Sequence, residues 1–225
     1  MILIATPARL STPRPLLESC RRVVRSQQFD GVLEFGLYLN EQPRSSRKYE
    51  PNARARNGLI ERYLKPWHEW VLWLDVDIIH APGNLLQVLM EAAMRHGGNA
   101  IVAPMVWVER VGDGPVSIPV GGWFYDTGGF RQMDGRFADF EHGIAGAADE
   151  TEMLSVGCVY LAPAALYRPG PDGRPGLRYA VEGNEVEHLG FMRQAREAGA
   201  TVWATRRANV IHAYLPKWGE EWHSS

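Results

Sequence analysis

Two aspartates, Asp75 and Asp77, follow an apolar stretch that begins at Trp70, and a single valine separates them. Alternate side chains of an extended chain point to the same side, so this spacing directs both carboxylates the same way. Two such carboxylates suit one hard divalent cation, or a cation together with a sugar hydroxyl. An Asp-X-Asp by itself is equally compatible with a strand end that caps the following helix. Residues elsewhere in the chain must therefore decide between a cation-binding site and a helix cap.

Basic residues precede the aspartates in the segment "NARARN", which contains Arg54, Arg56 and Asn57. Both arginines fall in the first turn of a predicted helix, where the helix dipole disfavours cations. A bound diphosphate would offset this unfavourable interaction with the dipole, because helix amides and guanidinium groups both match phosphate oxygens. The alternative is that the arginines are solvated surface residues. Asn57 could serve the same site or lie on the helix surface.

A histidine, His212, lies in the strand-like run "NVIHAY" near the end of the chain. A lone histidine in such a run is more often a core residue than a ligand. An imidazole from another strand is, however, a common ligand of a cation that carboxylates already hold. The residues thus favour Mn²⁺ or Mg²⁺ at Asp75, Asp77 and His212, with a nucleoside diphosphate as the leaving group.

The elements that must position these residues alternate between strand and helix in the first half of the chain. Central strands buried on both faces are apolar throughout, and ligands collect at their carboxyl ends. This alternation predicts an α/β fold with a mainly parallel sheet flanked by helices. The predicted strands are 2–6, 31–39, 70–75 and 99–104, and the predicted helices begin near Pro13, at Asn52 (as the N-cap) and after Pro82.

The second half is less regular, with an expected loop region at 106–152. A strand is predicted at 153–163, a helix at 184–199, and closing strands at 201–205 and 209–214. At 225 residues the chain is predicted to be one domain, with a nucleotide-binding half and a second half that completes the metal site and meets the acceptor. The boundary between the halves is expected at residue 104.

The composition excludes several classes of protein. With 24 basic and 26 acidic side chains, the formal charge of −2 argues against a general nucleic-acid binder. The start of the chain lacks the features of a signal peptide, and no stretch approaches the roughly 18 apolar residues of a membrane span. The two cysteines are expected to be reduced thiols. These features predict a cytoplasmic protein.

Several segments occur in an order that resembles a known family. They are "ARNGLIERYL", "EWVLWLDVDIIHAPGNLLQVLM", "SVGCVYLAPAALYRPG", "NEVEHLGFMRQAREAG" and "ANVIHAY". Together they resemble the fungal mannan-polymerase glycosyltransferases of the Anp, Mnn and Van type. That resemblance implies a single GT-A domain, a nucleotide-sugar-binding α/β fold. It also implies retaining transfer of mannose from GDP-mannose with Mn²⁺, to a glycan, lipid, protein or nucleic-acid acceptor that the sequence does not identify.

The resemblance also implies roles for individual residues. Asp75 and Asp77 would be the metal and nucleotide-sugar motif, His212 would complete the metal site, and Arg54 would contact the diphosphate or donor. The first strand would lie against the nucleoside. The predicted donor-binding residues are Thr6, Pro7, Arg54, Asn57, Asp75, Val76 and Gly157.

Three acids are candidates for the group that acts at the sugar, namely Glu185, Glu187 and Asp126. Retaining transfer needs a group that stabilises oxocarbenium character on the sugar, whereas inverting transfer needs a base. Glu187 lies three residues after Asn184 and could instead be part of a capping box. Asp126 could lie in a simple turn. Gly157 would allow close backbone approach to the donor, or mark a bulge.

The chain also departs from the family pattern. The fungal enzymes carry a membrane anchor, whereas this chain starts at its first predicted strand, so a short anchorless form is expected. The family's third acid in the Glu-Val-Glu helix is replaced here by Leu189. Three alternatives stay open: a non-catalytic nucleotide-sugar-binding subunit of a complex, a phage-type DNA or nucleoside glycosyltransferase, and, less favoured, a phosphohydrolase of the haloacid dehalogenase type.

Overall fold

The computed structural model describes residues 1–40, 49–110, 123–124, 129–138, 148–181 and 186–214. Within these ranges strands and helices alternate through the first half of the chain, as the sequence predicts. None of these helices is long and apolar enough to cross a lipid bilayer. The elements are β1 (Ile2–Arg9), α1 (Arg14–Arg25), β2 (Leu33–Asn40), α2 (Glu50–Tyr63), β3 (Trp70–Leu74), β4 (Ile78–His80), α3 (Leu85–Arg95), β5 (Ala100–Arg110), β6 (Trp123–Phe124), β7 (Arg131–Gln132), β8 (Glu150–Ser155), β9 (Val159–Pro163), a 3-10 helix (Ala164–Tyr167), α4 (Glu187–Glu197) and β10 (Thr201–Tyr214).

The strands form a mixed sheet with the order β2-β1-β3-β9-β5-β10-β8-β7, with β4 paired to β10 and β6 paired to β5. β1 is parallel to both β2 and β3, and β5 is parallel to β10. β9 lies antiparallel between β3 and β5. The predicted α/β fold is confirmed, and the antiparallel β9 joins its two parallel parts.

The centre of the sheet is apolar because it is covered on both faces. All five side chains of β3 are buried, and so are all five of β9 beside it. α2 packs on β1 and β2, while α3 packs on β5, β9 and β10. A strand buried in this way has no polar alternation, which accounts for the unbroken apolar run in the sequence.

α2 begins earlier than predicted, and the expected N-cap at Asn52 is wrong. The helix starts at Glu50 after Tyr49, with Pro51 in its first turn. Proline is favoured there because its fixed φ suits the helix and its missing N–H is not needed. Asn52 therefore lies inside the helix, and Arg54 and Arg56 lie beyond its first turn.

The segment predicted as one strand at 153–163 is two strands. β8 ends at Ser155 and pairs with β10, while β9 starts at Val159 and pairs with β3. In contrast, the two predicted closing strands are one strand, β10, which has a register shift between Thr205 and Asn209. Part of the expected loop region is also ordered, because β5 continues to Arg110 and pairs with β6.

Candidate functional site

The carboxyl end of β3 holds the two aspartates of the Asp-X-Asp motif. The backbone N–H of Asp75 donates to the carbonyl of Cys158, at 3.2 Å, and the Asp75 carbonyl accepts from Ile78, at 3.1 Å. The chain then enters β4, whose Ile78 is the register partner of His212 on the antiparallel β10. This turn brings a residue near the end of the chain next to the end of β3.

Asp77 and His212 form the first half of the site. His212 Nε2 lies 3.0 Å from Asp77 Oδ1, and the side chains are 5% and 17% exposed. His212 Nδ1 is 2.7 Å from the carbonyl of Ala213, to which it donates. The backbone N–H of Ala213 donates in turn to the Asp77 carbonyl, at 2.8 Å. The imidazole orientation is thus fixed by the strand that carries it. We call these two residues the Asp77–His212 pair.

The electrostatics of this pair are those of a partly buried ion pair. Burial raises the pKa of Asp77, but the charge and hydrogen bond of His212 outweigh it, so the net pKa lies below the ordinary value. Burial lowers the pKa of His212, but Asp77 outweighs it and the net pKa is raised. Each residue therefore favours the charged form of the other.

The donor atoms of the pair fit a cation that is shared with phosphate oxygens. A carboxylate oxygen and an imidazole nitrogen suit Mn²⁺ or Mg²⁺, which usually keep water and substrate phosphate oxygens as further ligands. In the described ranges no group of three His, Cys, Asp or Glu side chains is arranged to hold a metal ion. Asp75 accepts a hydrogen bond from Arg56 instead. Its role as a direct metal ligand stays a prediction.

The second half of the site is the Arg56 cluster, which we define as Arg56, Asp75, Glu187 and His188. Arg56 Nη2 donates to Asp75 Oδ1 at 2.8 Å and lies 3.4 Å from His188 Nε2, while Arg56 Nε lies 3.4 Å from Glu187 Oε1. The side chains of Arg56 and Glu187 are each only 2% exposed. A charged network this far from water must be closely paired, since an unpaired buried charge is costly.

An aromatic box encloses the Arg56 cluster. The Arg56 guanidinium lies 5.0 Å from the ring centroid of Trp73 and 5.7 Å from that of Tyr179. The Tyr179 hydroxyl is hydrogen-bonded to Tyr160 and lies 3.2 Å from that of Tyr167, which accepts from Trp73 Nε1 at 2.7 Å. Aromatic faces attract a desolvated guanidinium, and the hydroxyl chain fixes the rings.

Asn57 fixes one wall of this box. Its Nδ2 donates to the Tyr179 carbonyl and its Oδ1 accepts from the Tyr179 backbone N–H, both at 2.9 Å. The amide is therefore engaged with the backbone of Tyr179, whose ring stacks on Phe191 at 4.4 Å. The structure thus gives Asn57 a supporting role beneath Arg56, and donor contact by Asn57 stays a prediction.

The cluster carries little net charge. Burial raises the pKa of Asp75 to about 7, although Arg56 opposes this shift. Burial also raises the pKa of Glu187, but His188 and Arg56 outweigh it, so Glu187 is a carboxylate at neutral pH. Burial lowers the pKa of His188 to about 4, so its imidazole is neutral. The Arg56 guanidinium therefore faces one ionised carboxylate, that of Glu187, and one partly protonated carboxyl group, that of Asp75.

Two buried nitrogens of the cluster lack a partner among the described residues. They are Arg56 Nη1 and His188 Nδ1. Almost all buried polar atoms in folded proteins have a hydrogen-bond partner, and those that do not require an explanation.

The other predicted residues lie at varying distance from this centre. Arg54 is on the exposed side of α2, where its Nη2 lies 3.3 Å from Glu50 Oε1. Thr6 is fully buried, with its hydroxyl 3.8 Å from Cys20 Sγ, and Pro7 is half-buried. Val76 is buried between the two aspartates. The structure thus brings Arg56 rather than Arg54 to the aspartates, and the donor contacts stay predictions.

Gly157 lies in a tight turn that supports Asp75. The Val159 N–H donates to the Gly157 carbonyl at 2.7 Å, and Cys158 between them has a φ of 57°. A positive φ is uncommon for a residue other than glycine and often marks a functional or strained turn. The carbonyl of the same Cys158 accepts from Asp75, so this turn sets the end of β3.

Of the three candidate acids, Glu187 is the one that the structure brings to the site. It is the first residue of α4, whose N-cap is Val186, so the predicted capping box with Asn184 is not needed to explain it. Glu185 and Asp126 lie outside the described residues. Sequence reasoning missed His188 and the aromatic box. The available signal was that His188 follows Glu187 directly in a segment that resembles the family.

Comparison with known sequences gives several matches. The Anp1 family model matches residues 42–132. The mannan polymerase II complex ANP1 subunit of Saccharomyces cerevisiae is 28% identical over 139 residues, which are 58% of this chain and 24% of the yeast protein. The mannan polymerase II complex anp1 subunit of Schizosaccharomyces pombe is 24% identical over 197 residues, 73% of this chain and 41% of that protein.

A shorter match reaches higher identity. The mannan polymerase complex subunit mnn9 of S. pombe is 45% identical over 51 residues, 23% of this chain and 14% of that protein. The chain thus spans less than half the length of these relatives. The predicted resemblance to the fungal mannan-polymerase family is confirmed by these matches.

Comparison with solved structures establishes the fold. The crystal structure of GalNAc-T7 with UDP, GalNAc and Mn²⁺ aligns with a TM-score of 0.60 and 10% identity, over 96% of this chain and 44% of that chain. The predicted GT-A fold is confirmed.

Proposed function

From a chain that resembles fungal mannan-polymerase subunits and has a GT-A fold, we propose a metal-dependent glycosyltransferase that moves a sugar from a nucleotide diphosphate with retention. The proposed donor is GDP-mannose. The observation that carries this proposal is the meeting of the Asp77–His212 pair and the Arg56 cluster at the end of β3. Carboxylates and imidazole for a cation thus lie beside buried polar groups for a sugar. The acceptor and the cytoplasmic location stay predictions.

The Asp77–His212 pair is proposed to form the diphosphate end of the site. A Mn²⁺ or Mg²⁺ ion held by Asp77 Oδ1 and His212 Nε2 would neutralise the charge that develops on the departing nucleoside diphosphate. The hydrogen bond from His212 Nδ1 to the Ala213 carbonyl leaves Nε2 facing that position. Supporting bonds of this kind fix the tautomer and orientation of a ligating histidine. The first strand, with Thr6 and Pro7, is proposed to lie against the nucleoside.

The Arg56 cluster is proposed to form the sugar end. Glu187 is buried and ionised, and a buried carboxylate stabilises positive charge that develops on a sugar far better than a solvated one. Arg56 holds Glu187 and Asp75 in one network, and so fixes the acids relative to each other. The lowered pKa of Glu187 suits a charge-stabilising carboxylate rather than a proton donor. Glu185 and Asp126 stay candidates for the same role.

A second candidate function is a nucleotide-sugar-binding subunit without transfer activity. The relatives are named as subunits of mannan polymerase complexes, so assembly with another subunit is part of this proposal too. Such a subunit would keep the Asp77–His212 pair and Arg56, but it would not need the Glu187 carboxylate.

Thermal unfolding with nucleotides tests the proposal. GDP, UDP and ADP would each be added with and without Mn²⁺, and the melting temperature measured. We expect one nucleotide to raise the melting temperature, and to do so much more strongly with Mn²⁺ than without it. If no nucleotide raised it in the presence of Mn²⁺, the proposed function would be wrong.

Turnover separates the two candidate functions. Release of the nucleotide diphosphate from GDP-mannose would be followed for the parent protein, Glu187→Gln and the exposed control Glu197→Gln. We expect Glu187→Gln to lower kcat by at least about 100-fold, as loss of one well-placed electrostatic group does, with the control unchanged. Tight donor binding without turnover in the parent protein would favour the non-catalytic subunit.

A further inference from the structure

Two nitrogen atoms of the Arg56 cluster are buried but make no hydrogen bond within the described ranges. Arg56 Nη1 and His188 Nδ1 lack a partner among the described residues, although Arg56 is 2% and His188 is 6% exposed. Leaving a buried polar group unpaired costs about 1–3 kcal/mol, and more for a charged group. Both side chains contact the candidate acid Glu187, since Arg56 Nε and His188 Nε2 lie 3.4 Å and 3.5 Å from Glu187 Oε1.

The other ring nitrogen of His188 has neighbours of both kinds. Its Nε2 lies 3.4 Å from Arg56 Nη2, which can only donate, and 3.5 Å from Glu187 Oε1, which as a carboxylate oxygen can only accept. Either tautomer of the neutral ring therefore suits Nε2. Nδ1 has no partner among the described residues in either tautomer, and a hydroxyl group, which both donates and accepts, can pair with it in both cases.

The charge of the cluster indicates which kind of group it binds. Arg56 is already paired with the carboxylates of Glu187 and Asp75, at 3.4 Å and 2.8 Å. No positive charge is left over to compensate a second phosphate group. A neutral hydroxyl suits the cluster better, because it accepts from an N–H donor and donates to a carboxylate at the same time. Several hydroxyl groups on one ring would use both kinds of partner.

We propose that His188 Nδ1 forms a hydrogen bond with a hydroxyl group of the donor's sugar, and that His188 thereby helps to determine which sugar the site accepts. This inference rests on the proposed function. A site built to hydrogen-bond a substrate hydroxyl rejects an analogue without it, because its buried polar group is then left unpaired. Arg56 Nη1, which has no partner among the described residues, would be a further donor of this subsite, and Glu187 and Asp75 would be its acceptors.

Three substitutions test the role of the Nδ1 atom. His188→Asn keeps an N–H donor near the position of Nδ1, His188→Gln moves the amide toward the position of Nε2, and His188→Leu removes both. GDP and GDP-mannose would each be titrated calorimetrically with Mn²⁺. We expect all variants to bind GDP within about twofold of the parent protein. Relative to GDP, affinity for GDP-mannose should fall about tenfold in His188→Gln and His188→Leu and be retained in His188→Asn.

Equal ratios of GDP-mannose to GDP affinity in the parent protein and all three variants would overturn the inference, and so would a parent protein that binds GDP-mannose no more tightly than GDP. Both results leave GDP binding, and hence the proposed function, intact. Absence of GDP binding by the parent protein would instead overturn GDP-mannose as the proposed donor, and this inference with it.

Unfolding of the unliganded protein distinguishes a ligand-binding role from a structural one. We expect His188→Leu to melt at or above the temperature of the parent protein, because it removes an unpaired buried polar group. Glu197→Gln, on the exposed end of the same helix, serves as the matched control. If His188→Leu failed to fold, the comparison of His188→Asn with His188→Gln would carry the test. Equal weakening of GDP and GDP-mannose in all His188 variants would show a structural role only, and would overturn the inference.

Discussion

The two halves of the candidate site satisfy their charges in different ways. In the Asp77–His212 pair, one carboxylate and one imidazole lie 3.0 Å apart, where β4 begins to pair with the antiparallel β10. In the Arg56 cluster, residues from α2, α4 and the end of β3 share one buried guanidinium, and two nitrogen atoms have no hydrogen-bond partner within the part of the chain that the structure describes. The two side chains of the pair partner each other, whereas the cluster has these two nitrogens to offer a ligand.

This difference in hydrogen-bond partners indicates what each half of the site can bind. A cation can take the place of the proton on His212 and keep both the carboxylate and the imidazole as ligands. The cluster has no surplus charge to offer, but its carboxylates, and its nitrogen atoms that lack a partner in the described ranges, match the hydroxyl groups of a neutral sugar. Under the proposed function, the short segment Asp75 to Asp77 would serve two different chemistries because its aspartates have different partners.

The largest expected effect is on the stability of the cluster. Arg56→Ala removes the guanidinium that pairs with both Asp75 and Glu187, and it leaves the buried Glu187 carboxylate and the partly exposed Asp75 carboxylate without that cation. We expect a loss of about 3–5 kcal/mol in the free energy of unfolding, measured with urea. Arg54→Ala, two positions away on the exposed side of α2, should change it by less than about 0.5 kcal/mol. Similar losses in the two variants would contradict the assignment of Arg56 as the buried partner.

The next effect is a pH dependence that belongs to the cluster. The pKa of His188 is about 4 in the folded protein and 6.5 in a model peptide, so the unfolded chain takes up the proton first as the pH falls. The contribution of His188 to stability is therefore lost as the pH falls below about 6.5, whereas the raised pKa of Asp75 acts in the opposite direction in both the parent protein and a His188 variant. Between pH 7 and pH 5 this loss is about 2 kcal/mol. His188→Asn, which cannot titrate, should lack it. Urea unfolding of both proteins at the two pH values checks this, and parallel changes would refute the burial of a neutral His188.

A smaller effect is expected at the support beneath the cluster. Asn57→Ala removes two hydrogen bonds to the backbone of Tyr179, which is 3% exposed. We expect a loss of about 1–2 kcal/mol in the free energy of unfolding. The control is Gln194→Ala, since this half-buried amide makes only long bonds, of 3.2 and 3.3 Å, to backbone carbonyls. An equal loss in the two variants would show that Asn57 does not support Tyr179 specifically.

The central strands and the Asp-X-Asp motif were predictable because they depend on local pattern. β3 is apolar throughout and ends at Asp75, and α3 follows with its apolar face at helical spacing. The position of His212 near the motif was predictable only through the parallel-sheet argument and the resemblance. That it contacts Asp77 rather than Asp75 follows from the register of β4 and β10, which no local pattern encodes.

The choice between Arg54 and Arg56 was missed because it depends on where α2 begins. A shift of the helix start from Asn52 to Glu50 does not show in composition, yet rotation of the helix buries one arginine and exposes the other. The aromatic box brings together residues more than 100 positions apart, such as Arg56 and Tyr179. Contacts at that separation are set by tertiary packing and leave no signal in a single sequence.

The most direct test of the proposed metal and nucleotide site is the Mn²⁺ dependence of GDP affinity in the parent protein and in Asp77→Asn. Asparagine keeps the shape of the side chain but loses the charge that a hard cation requires. Calorimetric titration of GDP should show binding that Mn²⁺ strengthens at least tenfold in the parent protein and leaves unchanged in Asp77→Asn. Equal strengthening by Mn²⁺ in the two proteins, or no effect of Mn²⁺ in either, would contradict a metal-diphosphate site at the end of β3.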